Sequence, residues 1–137
     1  MLKRQRVVPR GIRNNNPLNI RIGNTWLGEV AEPTETEFEQ FVSMKYGLRA
    51  GFIILRRYIR RYKRDTVRKI IESWAPSSEN NTLEYIAAVC DRMHITSDTQ
   101  VDYGDRDTMC ALVQAMAYVE VGELIPLQNI IDAYKIA

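Results

Sequence analysis

The sequence predicts a mainly helical (α+β) domain of about five helices with a small β-hairpin region near its start. Three observations predict it. Apolar and polar residues alternate in the first third of the chain, and from Ser43 onward apolar residues recur every three or four positions. Gly and Pro residues, notably Pro76, Gly122 and Pro126, cut the later part into segments of ordinary helix length. A length of 137 residues, 45% hydrophobic and 26% charged, matches one soluble globular unit able to bury its own core. Residues 1–137 are therefore read as a single domain, with 1–13 as a flexible basic arm.

Residues 1–17 are expected to be extended and to end in Asn14, Asn15, Asn16 and Pro17, where Asn favours turns and proline biases its predecessor away from helix. Leu18 to Ile22 alternates as a strand would. Gly23 and Asn24 read as a turn, and Thr25 to Val30 as the returning strand, with a further extended stretch at Phe38 and Phe41. Ser43 can cap a helix to about Tyr62 that places Leu48, Phe52, Leu55 and Ile59 on one face and arginine pairs on the other. A shorter helix follows from Asp65 or Thr66 through Trp74. Asn81 with Glu84 three residues on resembles a capping box for a helix to about Met93. Another runs from near Asp107 to Val121, and Pro126 opens a last one toward Tyr134.

Composition excludes several classes. No apolar run is long enough to span a bilayer, and the basic start lacks the apolar stretch of a secretory signal peptide. Cys90 and Cys110 have neither metal-ligand nor disulfide-framework spacing, and His94 is the sole histidine, so no metal and no cofactor are expected. The net charge of +2 hides a segregation. Basic residues crowd the N-terminus and the block Arg56, Arg57, Arg60, Arg61, Lys63, Arg64, Arg68 and Lys69, with an acidic stretch of Glu29, Glu32, Glu35, Glu37 and Glu39 between. The basic block reads either as a surface for a polyanion or as a solvated helix face balanced by the acidic stretch.

The residue that stands out is Glu120. It continues the apolar stripe of Met109, Leu112, Val113 and Met116 on one helix face. Burial there, near a helix C-terminus marked by Gly122, would raise its pKa toward the range of a general acid. The competing reading is a glutamate that reaches out to water or meets an arginine.

The tract from Gly11 through Asn14, Asn15, Asn16, Pro17, Leu18, Asn19, Ile20 and Arg21, with Trp26 and Gly28, resembles phage-encoded lysozyme-like virion proteins. It is also similar to a segment of the bacterial glucosaminidases that cut peptidoglycan. The likeness continues through Phe38, Phe41, Tyr46, Gly47, Leu48 and Ala50, then Trp74, Ala75, Pro76, Glu79, Asn80, Asn81, Thr82, Tyr85 and Ile86, and ends at Ala115, Met116, Glu120, Val121 and Gly122. In the glucosaminidases the acid-bearing helix precedes the Asn-Pro segment, whereas here it follows. The resemblance therefore implies a lysozyme-like domain in circularly permuted order. Val121 departs from the Ser or Thr common at that place.

That resemblance implies cleavage of peptidoglycan glycan strands by a hydrolase or lytic transglycosylase, with Glu120 as proton donor and the Tyr85 hydroxyl positioning water or an acetamide beside it. Glu29 and Glu39 are candidates for a second carboxylate, or else exposed charges of the acidic stretch. Sugars need amides for their hydroxyls and rings for their apolar faces. Asn14, Asn15, Asn16, Asn19, Asn80 and Asn81 supply amides, and Trp26 and Trp74 supply rings; the alternative roles are turns, caps and core. Virion or secretion-apparatus proteins are further expected partners, nucleic acid is not, and action would be at the cell wall or periplasm after phage-type or other non-classical delivery. The competing functions are a non-catalytic virion or cell-wall-binding protein and a basic nucleic-acid-binding module.

Overall fold

The computed structural model describes residues 7–78 and 80–137 and is mainly helical. Among these residues the helices are α1 (Arg10–Arg13), α2 (Met44–Arg56), α3 (Val67–Trp74), α4 (Thr82–Met93), α5 (Arg106–Val121) and α6 (Leu127–Ile136), with a π-helical continuation of α2 at Arg57–Arg61. The expected arm is thus helical at its end: Arg10–Arg13 forms a turn of helix that Pro9 precedes. Lys3, Arg4, Arg6 and Glu79 lie outside the described residues.

Local chemistry starts and stops the helices. The Thr66 hydroxyl accepts the Lys69 N–H, the Asn81 side chain accepts the Glu84 N–H, and Asp105 accepts from Thr108, each filling an orphan donor of a first turn. Gly122 closes α5 with φ +70°, and His94 closes α4 in the same left-handed region. Pro126 stands just before the last helix rather than inside it.

The α5 stripe is the centre of the core. Met109, Leu112, Val113 and Met116 have no exposed surface, and they meet Leu48, Phe52 and Leu55 of α2, Ile70 and Ile71 of α3, Val89 of α4 and Ile130 of α6 in one cluster. α5 lies between α4 and α6, and α6 packs on α2. The face of α2 that was expected to turn inward does so, since Ile59 is also buried. Of the cysteines, Cys110 is buried and Cys90 only partly so.

The expected hairpin is absent: no strand forms among the described residues. Leu18–Ile22 and Thr25–Val30 do not pair with each other. Both pair instead with residues 37–42, through single antiparallel bridges at Arg21 with Phe38 and Glu29 with Phe41. The Ile22 N–H donates to the Glu37 carbonyl and Glu39 N–H to Ile20, while Val30 N–H donates to Gln40 and Val42 N–H to Gly28. A fully buried side chain takes over the role of a neighbouring strand. Asn16 donates to the carbonyls of Ile20 and Glu39 and accepts the Ile20 N–H.

Two glycines let this irregular segment sit on the helices. A Cβ on Gly47 of α2 would collide with the Asn15 carbonyl, so the turn rests directly on helix backbone. A Cβ on Gly11 would lie 2.6 Å from Val121 Cγ1 and 2.8 Å from the Asn16 carbonyl, which is how α1 reaches the end of α5. Among the described residues no helix is long and apolar enough to cross a membrane.

Candidate functional site

Three segments deliver donors to Glu120. At the end of α3, the Trp74 indole N–H donates to Oε2 at 3.3 Å. On the inner face of α4, the Tyr85 hydroxyl donates to the same oxygen at 2.9 Å and lies 3.4 Å from the Met116 carbonyl. From the N-terminal segment, Asn19 Nδ2 donates to Oε1 at 3.2 Å. Asn19 reaches that position from a left-handed backbone (φ +51°), a conformation asparagine tolerates. The Thr82 hydroxyl donates to the Ala75 carbonyl, tying the start of α4 to the end of α3 and so Tyr85 to Trp74.

The carboxyl is therefore turned inward, partly buried, not extended into water. Burial raises its pKa; the hydrogen bonds from Asn19, Tyr85 and Trp74, and the positive charge of Arg21, oppose that rise without cancelling it. Tyr85 is almost wholly buried, and burial first, then the neighbouring Glu120, hold its hydroxyl protonated far above the ordinary tyrosine range. It remains a donor at any physiological pH.

Two grooves meet at this carboxyl. One, of about 420 Å³, runs between the N-terminal segment and α3, with Asn19, Arg21, Asn24, Phe38, Tyr58 and Trp74 among its walls. The other, of about 590 Å³, lies between α4 and the end of α5 and includes Asn81, Glu84, Tyr85, Asp91, Arg92 and Tyr118. Glu120 and Asn80 belong to both. Such a trough, with amides, rings and a carboxyl at its middle, can bind an extended polar ligand and protonate it where it crosses Glu120.

Of the residues singled out from sequence, Glu120, Tyr85, Asn19, Trp74, Asn80 and Asn81 come together here. Asn14, Asn15 and Asn16 do not line either groove. Asn14 donates to Glu35, which Arg10 also clamps at 2.7 Å, and these two partners draw the Glu35 pKa down to about 2. Asn15 donates to the Phe41 carbonyl and Asn16 is scaffold. Trp26 packs against the core, with its indole N–H buried and without a hydrogen-bond partner among the described residues.

Glu29 and Glu39 also stand apart from Glu120. They line a smaller hollow of about 170 Å³ that has only Ile22, Asn24, Val30, Pro33, Phe38 and Gln40 as its other walls. Glu39 is 6% exposed, far from the solvated charge its acidic neighbourhood predicts. Burial, then a hydrogen bond to Glu29 and the charge of Glu29, push its pKa up to about 7, against the pull of the Gly23 N–H. Glu29 in turn accepts the Trp26 N–H at 3.1 Å. Glu39 therefore keeps its proton well above the ordinary carboxylate range.

Sequence reasoning gave no role to Arg21, Phe38 or Tyr58, which wall the first groove. Arg21 and Phe38 fall inside the tract that carried the resemblance, and the Arg21 guanidinium lies 5.2 Å from the Phe38 ring centre. Tyr58 carries no signal, because a tyrosine on a helix face with an ordinary period looks like core. Val121, where the resemblance has Ser or Thr, is buried with its Cγ1 toward Gly11.

No family model matches the sequence. The chain is similar to Protein P5 of Pseudoalteromonas phage PM2, with 38% identity over 117 residues that span 82% of this chain and 71% of that protein. Identity of that degree across most of both chains makes this protein a member of the family of phage PM2 Protein P5.

Proposed function

We propose that this phage-family protein cleaves the glycan strands of peptidoglycan, with a lysozyme-like fold in circularly permuted order and Glu120 as general acid. The observation that carries the reading is a partly buried carboxyl of raised pKa, held by Asn19, Trp74 and Tyr85 where two grooves join. Oε2 accepts from both Trp74 and Tyr85, which leaves Oε1, with its single side-chain contact to Asn19, as the oxygen that holds the proton. Donation from Oε1 to a glycosidic oxygen leaves a carboxylate whose negative charge the three donors already face. Glu29 and Glu39 line neither groove, which removes them as the second carboxylate. In the single-acid route the oxocarbenium-like centre is met by the substrate's own acetamido group or a sugar hydroxyl, while Glu84 and Asp91 are the other carboxylates along the groove. Kinship with a phage protein supports delivery to the wall by a virion.

A second reading, a wall-binding virion protein without activity, draws on the same three donors, which favour the charged form of Glu120. A zymogram with purified peptidoglycan separates the two. Wild type clears the gel, and Glu120→Gln lowers the rate by at least about 100-fold, the contribution of a general acid. Equal clearing by both proteins removes Glu120 from the chemistry. No clearing by wild type, together with sedimentation on peptidoglycan, supports the binding protein.

A further inference from the structure

The basic block takes no part in the cleft, and an irregular stretch of backbone gathers it. After α2 the chain continues through π-helical Arg57–Arg61, where the Tyr62 N–H reaches back five residues to the Arg57 carbonyl at 3.2 Å. Such turns recur at functional sites. Arg56, Arg57, Arg60 and Arg61, with Ile53, line a shallow depression of about 300 Å³. Tyrosine rings steady the guanidinium groups: Arg56 and Arg60 stand 5.6 and 5.0 Å from the Tyr103 ring centre, and Arg61 stands 5.6 Å from that of Tyr62.

The acidic stretch does not balance these arginines. Glu35 and Glu37 pair with Arg10 and Arg21, Asp98 with Arg68, and Asp107 with Arg106. Among the described residues no carboxylate pairs with Arg56, Arg57, Arg60 or Arg61. Arg56 with Arg60, and Arg57 with Arg61, are like charges four apart on a helical ridge, an arrangement that destabilises a helix. The negative end of the helix dipole offsets part of that repulsion but does not explain four arginines lining one concavity.

We propose that this depression binds a compact phosphate anion, a phosphate monoester or pyrophosphate group, either free in solution or on a lipid headgroup. Guanidinium forks match phosphate oxygens in pairs, and a doubly charged group answers several cations at once. An extended nucleic-acid backbone would instead require cations spread along successive phosphates.

Calorimetric titration with sodium pyrophosphate at fixed ionic strength tests the site. Wild type shows saturable binding, weakened at least about tenfold in the Arg57→Gln/Arg61→Gln double variant through loss of charge-assisted bonds. A Lys45→Gln/Lys135→Gln variant, with the same charge loss elsewhere on the exposed surface, keeps wild-type affinity. Circular dichroism checks that each variant is folded. Vesicles containing phosphatidic acid identify the source: sedimentation that pyrophosphate reverses places the phosphate on a lipid, and pyrophosphate binding without sedimentation places it in solution. The proposal is overturned if pyrophosphate gives no saturable response, if both double variants weaken it equally, or if duplex DNA binds while pyrophosphate does not.

Discussion

Glu39→Gln keeps the size and hydrogen-bonding reach of a buried carboxyl and removes its ability to ionise. A glutamine there still donates to Glu29 and still accepts the Gly23 N–H, so it imitates the protonated glutamate. In the wild type, folding lifts the Glu39 pKa from 4.5 to about 7. That difference corresponds to roughly 3 kcal/mol of preference for the neutral form. Because the folded value is the higher one, the stabilisation is complete below pH 4.5 and is lost as pH rises through about 7. Urea unfolding of both proteins from pH 4 to pH 8 reads it directly. The two curves should coincide near pH 4, and by pH 8 the variant should be more stable by about 3 kcal/mol, or roughly 10 °C in Tm for a chain of this size. Parallel curves across that range, or a variant less stable at pH 8, would refute the assignment of the proton to Glu39.

Asn19 separates backbone strain from chemistry. Asn19→Gly relieves the positive φ and should leave stability within about 1 kcal/mol of wild type, whereas Asn19→Ala adds strain at that position. Both remove a donor that holds the Glu120 pKa down, so the alkaline limb of the activity profile should move to higher pH in each; an unmoved limb dissociates Asn19 from Glu120. Gly11→Ala forces a methyl group against Val121 and the Asn16 carbonyl and should cost about 1–3 kcal/mol in chemical denaturation, with a loss of glycan affinity as the Asn19 segment lifts away. Unchanged stability would mean that α1 does not rest on α5 as described.

Helices were legible because their evidence is local. The period of Leu48, Phe52, Leu55 and Ile59, the cap at Asn81 and the stop at Gly122 each act within a turn or two of backbone. The hairpin misled because alternation reveals that a segment is extended without revealing its neighbour. Ile20 and Ile22 bond to residues 37–39, and a buried amide, Asn16, substitutes for strand pairing, which no nearby spacing records. Glu120 was legible as a charge in an apolar stripe. The asparagines were not separable by type, since an amide that binds a ligand and one that braces a turn use the same atoms. Glu39 looked solvated because its neighbours in sequence are acidic, and only the fold of residues 20–42 encloses it.

Asn19 and Glu120 are 101 positions apart, and their hydrogen bond joins the two walls of the trough. No shorter contiguous fragment can contain both. A chain still emerging from the ribosome lacks its carboxyl cradle until α5 has been made, so the trough is completed late, after the slow search that such distant contacts impose on folding. Cutting any exposed loop between those positions would leave two pieces that need each other to rebuild the trough, and mixing them would measure how strongly the rest of the core holds it together.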